Sequence, residues 1–116
     1  MATNSFRELI VWQKSRDLAV AIYKLTENFP KSEIYGLTSQ MRRAAVSISS
    51  NIAESYNRFH HKEKRQLLVV AFGSGSELES QLEIVRILFP GLDCGAIDGL
   101  LSEVMKILNN FINRRD

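Results

Sequence analysis

Apolar residues recur along most of this chain at the spacing of an α-helix. In the first segment Val11, Ser15, Leu18, Ile22, Leu25 and Phe29 step by 4, 3, 4, 3, 4, a seam with one polar interruption. Leu67, Ala71, Ser74, Leu78, Leu82, Val85 and Phe89 form a second seam, and Ile97, Leu101, Val104, Leu108 and Phe111 a third. The chain's two prolines, Pro30 and Pro90, each follow a phenylalanine. Proline disfavours helical geometry in the residue before it and lacks a backbone donor, so each marks a helix end. The pattern predicts helices near 6–28, 34–57, 62–88 and 94–113. Within the second, Leu37, Met41, Ala44, Ile48 and Ile52 keep helical spacing, although residues 46–49 alternate as a strand would. Connections of a few residues force consecutive helices antiparallel. The fold class expected is all-α, an up-down-up-down four-helix bundle in a single domain over residues 1–116.

Helix 1 carries more apolar surface than one core stripe needs. Leu9, Trp12, Ala19 and Tyr23 lie off the main seam. A wide core face explains them; so does subunit contact, which makes Leu9, Trp12 and Tyr23 the expected oligomer interface.

Helix 2 carries a polar stripe. Gln40, Arg43, Ser47, Asn51, Glu54 and Arg58 step by 3, 4, 4, 3, 4 and share one face, while Ser74, Glu77 and Gln81 do so on helix 3. Polar side chains at such spacing need partners if they are covered. The stripe is either a network between helices or subunits, with Arg43 and Glu54 as its ionic members, or a solvated face, or a ligand site.

Composition narrows the class. At 116 residues, 45% apolar and 24% charged, the chain is ordinary globular protein. One cysteine, Cys94, excludes an internal disulfide framework and a multi-cysteine zinc site. No apolar run approaches the roughly 18–20 residues of a membrane span, and residues 1–6 show no signal-peptide pattern, so a cytoplasmic location is expected, with no membrane partner.

The net charge of +2 conceals an asymmetry, with +5 over residues 1–65 and −3 over the remainder. The basic excess peaks in the run Arg58-Phe59-His60-His61-Lys62-Glu63-Lys64-Arg65 between helices 2 and 3. Lys and Arg suit phosphates, and Phe59 suits stacking on an exposed base. The expected nucleic-acid surface is therefore Arg58, Lys62, Lys64, Arg65 and Phe59, extended by Arg42, Lys14 and the terminal Arg114-Arg115 where packing allows. A solvated turn between helices explains the same residues.

Enzyme signatures are missing from the pattern. The stretch Gly73-Ser74-Gly75-Ser76 lacks the Lys-Ser/Thr ending of a phosphate loop and follows no strand. Small residues there allow close helix approach; a break capped by Ser76, with Glu79 completing a capping box, is the other reading. His60 and His61 are adjacent rather than 3 or 4 apart, which suits no metal on a helix. No catalytic residues, metal or cofactors are expected.

Several motifs in order resemble a known family. They are Trp12-Gln13-Lys14, Leu18-Ala19, Phe29-Pro30, residues 33–37, Thr38-Ser39-Gln40, Arg42-Arg43-Ala44, Ser47-Ile48, Ser50-Asn51-Ile52-Ala53-Glu54 and Gly73-Ser74 with Glu77-Leu78-Glu79. Over residues 6–85 the chain is similar to the small four-helix-bundle proteins encoded within intervening sequences of bacterial 23S rRNA genes. The resemblance implies four antiparallel helices, helix at residues 47–51, a ring-like homopentamer and no catalysis. Related accessory proteins of diversity-generating retroelements, known as accessory variability determinants, associate with nucleic acid and a reverse transcriptase. Ser55 and Gly75 depart from the family pattern, where glycine and a larger residue respectively are common. The function expected is a non-enzymatic oligomeric module that binds RNA or DNA. The alternative is an interaction scaffold or accessory subunit for a reverse transcriptase or another partner, without nucleic-acid binding.

Overall fold

The computed structural model describes residues 5–114. Four helices form: α1 (Ile10–Thr26), α2 (Ser39–Tyr56), α3 (His61–Leu88) and α4 (Gly95–Ile112), with no strand among the described residues. α1 packs on α2 and α4, and α3 packs on the same two, closing a ring of four around one core. The result is an all-α four-helix bundle. Its long dimension, in extents of 45 × 24 × 23 Å, is close to the roughly 42 Å expected of the 28-residue α3.

The seams read from the sequence face this core. Leu18, Ile22, Ile48, Leu78, Val85, Val104 and Leu108 are fully buried. Burying such side chains contributes about 1.5–3 kcal/mol each relative to exposure. The polar interruption Ser15 is also buried, and its hydroxyl donates to the Trp12 carbonyl at 2.7 Å. Residues 46–49, whose alternation suggested a strand, are helical.

Helix boundaries differ from expectation at two starts. Residues 6–8 form a separate 3-10 turn, capped by the Ser5 hydroxyl, which accepts from the Arg7 amide at 3.2 Å. Leu9 is then extended, so α1 starts at Ile10. Ahead of α2, Ile34–Thr38 makes a wide turn instead of the predicted first helical turn. Gly36 departs from helical geometry there (φ −110°, ψ −114°), and the Glu33 carboxylate accepts from the Leu37 amide at 3.2 Å. That carboxylate occupies the place of a side chain: its Oε1 lies 3.0 Å from where a Cβ at Gly36 would stand.

The Phe-Pro pairs end α1 and α3 at the same end of the bundle. Phe29 and Phe89 meet there with ring centroids 4.9 Å apart. In the turn that follows, Asp93 Oδ1 accepts from the Gly95 amide at 2.9 Å, and Arg86 of α3 pairs with Asp98 of α4. α3 runs unbroken through Gly73-Ser74-Gly75-Ser76, so Ser76 caps nothing and the break reading is corrected. The reason is packing: a Cβ on Gly75 would lie 2.2 Å from Met105 Sδ, so the bare backbone is what admits α4's methionine.

Candidate nucleic-acid interface

One end of the bundle gathers the starts of α1 and α3 and the ends of α2 and α4. Two helix N-termini and two C-termini largely cancel one another's dipoles, so side chains set the potential here. α2 closes with amides of Asn57 and Arg58 donating to the carbonyls of Glu54 and Ser55, both at 3.2 Å. His60 is extended (φ −101°, ψ 135°) and precedes α3 without a side-chain cap. The tip between them leaves Phe59 95% exposed.

The cations of this end fall on two sides of α3's first turns. Arg58 and Lys62 border a shallow depression beside Glu63, Gln66 and Leu67. Arg58 Nη2 also pairs with Glu54 Oε2 at 3.3 Å, both side chains about half exposed. An exposed pair of that spacing is worth about 0.3–0.5 kcal/mol. On the other side Lys64 and Arg65 sit with Arg114 around a second recess. Arg65 Nε donates to the Ile112 carbonyl at 3.0 Å, which fastens α3 to the end of α4. Arg115 lies outside the described residues.

Two further cations are engaged elsewhere. Lys14 Nζ pairs with Glu103 Oε2 at 2.7 Å, between α1 and α4. Arg42 stands 14 residues before the end of α2, roughly 21 Å along its axis. It donates to Thr26 Oγ1 at 2.8 Å and to the Tyr23 carbonyl at 3.3 Å, with its guanidinium 4.4 Å from the Tyr23 ring centre. Arg42 is a strut between α1 and α2 at the far end.

The polar stripes of α2 and α3 do meet. Gln40, Arg43 and Ser47 line a cleft of about 150 Å³ with Ser74 and Glu77. Ser47 Oγ and Ser74 Oγ are 2.9 Å apart, and Asn51 Nδ2 donates to the Ser47 carbonyl at 2.8 Å. These inner members are half-buried, whereas Gln40, Arg43 and Glu54 are exposed, and Glu54 pairs with Arg58 and not Arg43. Deeper on α3, Gln81 is buried; its Nε2 donates to Glu77 Oε2 at 3.4 Å while Oε1 accepts no hydrogen bond from the described residues.

Of the off-seam residues, Leu9, just ahead of α1, and Trp12 within it pack against their own core. Phe6 meets Trp12 edge-on at 5.0 Å and Arg16 lies 5.4 Å from its ring centre. Tyr23 is exposed. The sequence reading missed other exposed apolar side chains, notably Tyr35 at 97% and Ile87 at 81%. Tyr35 sits in the Gly36 turn, and that glycine was the only available signal; Ile87 lies off the α3 seam by position alone.

Among the described residues no three His, Cys, Asp or Glu side chains group as a metal site, and no helix is long and apolar enough to cross a membrane. Burial pushes the Cys94 thiol above its ordinary range, against the opposing pull of Arg86.

Architecture and surface define a small helical-bundle protein with a basic, aromatic-tipped end. A sequence model described as 23S rRNA-intervening sequence protein matches residues 7–110. The chain belongs to that family. Among solved structures it is similar to a protein of unknown function from the S23 ribosomal protein family of Bacteroides thetaiotaomicron, with a TM-score of 0.79 and 24% identity. The match covers 90% of this chain and all of that one, and shows the shared fold. No curated protein matches the chain.

Proposed function

We propose that this chain is a non-enzymatic module that binds RNA or DNA as a homo-oligomer, a pentamer on the family resemblance, through the basic end of its bundle. The observation that carries the reading is Phe59, a phenylalanine 95% exposed at the tip of a turn flanked by Arg58, Lys62, Lys64 and Arg65. An aromatic ring held in water beside cations is the arrangement that stacks on an unpaired base while phosphates are neutralised. One protomer offers few cations. Repeating the patch around an oligomer raises affinity through effective concentration where contacts engage together.

Fluorescence anisotropy with labelled single-stranded RNA and duplex DNA tests this across a salt series. Binding weakens with a logarithmic slope of about −0.7 per neutralised phosphate on single strands and −0.9 on duplex. Replacing Lys62, Lys64 and Arg65 together by Glu removes binding while circular dichroism stays helical. Phe59→Ala weakens single-strand binding alone. Wild-type oligomer that binds neither nucleic acid at low salt refutes the proposal. A second reading, an interaction scaffold or accessory subunit for a reverse transcriptase or another protein, is favoured by the exposed Tyr35 and Ile87, and co-purification from the native host tests it.

A further inference from the structure

The recess beside Lys64 and Arg65 encloses about 350 Å³, within the usual range of small-ligand sites of about 300–1,000 Å³. It lies where the ends of all four helices converge. Exposure grades from bottom to mouth: Val11 and Ile52 on the floor are buried, Leu9 and Leu68 on the walls are half-buried, and Phe111 stands exposed at the edge. Phe111 is the last member of the α4 seam, yet the bundle leaves it 41% exposed. Ser55 Oγ, also in the lining, donates its proton to the Ile52 carbonyl at 2.7 Å. Leu9, Val11, Ile52 and Leu68 make one wall and the floor aliphatic, while Tyr56 and His61 also line the recess.

The mouth has the opposite chemistry. Lys64, Arg65 and Arg114 border it, and no Asp or Glu is among its lining residues. Arg65 is already fixed by its bond to the Ile112 carbonyl, so less side-chain freedom is lost when an anion arrives. A helix about 10–12 Å across needs an open groove, which a recess this small is not. A polar base edge set against Val11, Ile52 and Leu68 would be desolvated at a cost per group, whereas an alkyl chain is not.

We infer that this recess binds a small amphipathic anion, an alkyl carboxylate whose chain lies over Val11, Ile52 and Leu68 and whose head meets Lys64, Arg65 and Arg114. The inference does not depend on nucleic-acid binding, although Lys64 and Arg65 serve both surfaces.

Isothermal titration calorimetry with hexanoate, octanoate and decanoate below their micelle concentrations tests it, with methyl NMR to locate the site. Affinity should rise about fourfold per added methylene until the recess fills. Octylammonium should bind at least tenfold more weakly than octanoate, and Lys64→Gln with Arg114→Gln should weaken octanoate at least tenfold, both being losses of charge-assisted contacts. Shifts should centre on Val11, Ile52 and Leu68. Leu68→Trp should fill the space and abolish binding; the two Gln substitutions are on surface residues and keep the test sound if that variant misfolds. No octanoate binding in the millimolar range overturns the inference. So does equal affinity for octanoate and octylammonium, an affinity independent of chain length, or saturable binding of a mononucleotide where octanoate fails. Each result is read without nucleic acid present and stands whatever the anisotropy titrations give.

Discussion

Two glycines, two residues apart on α3, should respond to the same substitution with opposite sign. Gly73 is exposed and a Cβ there would meet nothing within 4 Å. Gly73→Ala therefore delivers the helix-propensity gain of about 0.5–1 kcal/mol. Gly75 is buried, and its added Cβ would lie 2.2 Å from Met105 Sδ and 3.2 Å from Met105 Cε. Ordinary contact starts at 3.4 Å, so the sulfur must move by more than an ångström. Met105 is only 8% exposed, and a displaced thioether has to find room among core side chains. Overpacking of this kind costs about 1–3 kcal/mol, with methionine's flexibility favouring the lower part. After the propensity gain, Gly75→Ala should cost about 1 kcal/mol net. For a domain of this length 1 kcal/mol moves Tm by about 4 °C. Thermal melts followed by circular dichroism at one fixed protein concentration measure both, because Tm depends on concentration wherever a protein self-associates. A double-mutant cycle isolates the cause: on a Met105→Ala background, Gly75→Ala should become stabilising. If Gly75→Ala melts at or above the wild type, Met105 is not what the glycine admits, and the reasoning fails.

Gln81→Met should raise Tm by a few degrees, because leaving a buried carbonyl oxygen unsatisfied costs about 1–3 kcal/mol and the change removes it; a lower Tm would mean that Oε1 has a partner. Arg43→Ala and Glu54→Ala should each change stability by less than about 1 kcal/mol, as exposed charges do, whereas Arg42→Ala should cost about 1–2 kcal/mol through its bonds to Thr26 and Tyr23. Urea melts rank the three, and loss of oligomer mass by light scattering in the first two would place the stripe between subunits instead. Cys94 should be alkylated more slowly in the native protein than in urea at pH 8, since burial holds its thiol protonated. Because that raised pKa favours the folded state only while the thiol is protonated, stability should decline as pH climbs past the ordinary thiol value of 9.0; native labelling as fast as unfolded would refute the burial argument.

Helical period made the core legible. Leu18, Ile22, Ile48, Leu78 and Leu108 stand at 3- and 4-residue steps, and those steps alone place them on inner faces. The prolines made the stops legible as well. What the pattern could not supply was conformation decided by one local hydrogen bond, as at Leu9 after the Ser5 cap and at Gly36 under the Glu33 carboxylate. At the candidate interface the run from Arg58 to Arg65 was plain in the chain, but its division onto two sides of α3 was not. Lys14 was bound to Glu103 and Arg42 to Thr26 by the packing of helices distant in sequence. Likewise the stripe from Gln40 to Glu54 was visible as one face, while its exposure depended on how closely α3 approached.

Leu9 and Arg114 border one recess, so the segments entering α1 and leaving α4 come together beside the α2–α3 turn. A short flexible bridge between those segments would permit circular permutation, with new ends opened near Pro90 and Gly91, in the exposed turn at the opposite pole. Such a permuted chain keeps all four helices and ties the segments entering α1 and leaving α4 together at the basic end. A fluorophore placed at the Pro90 turn would leave the basic end open to bulky partners.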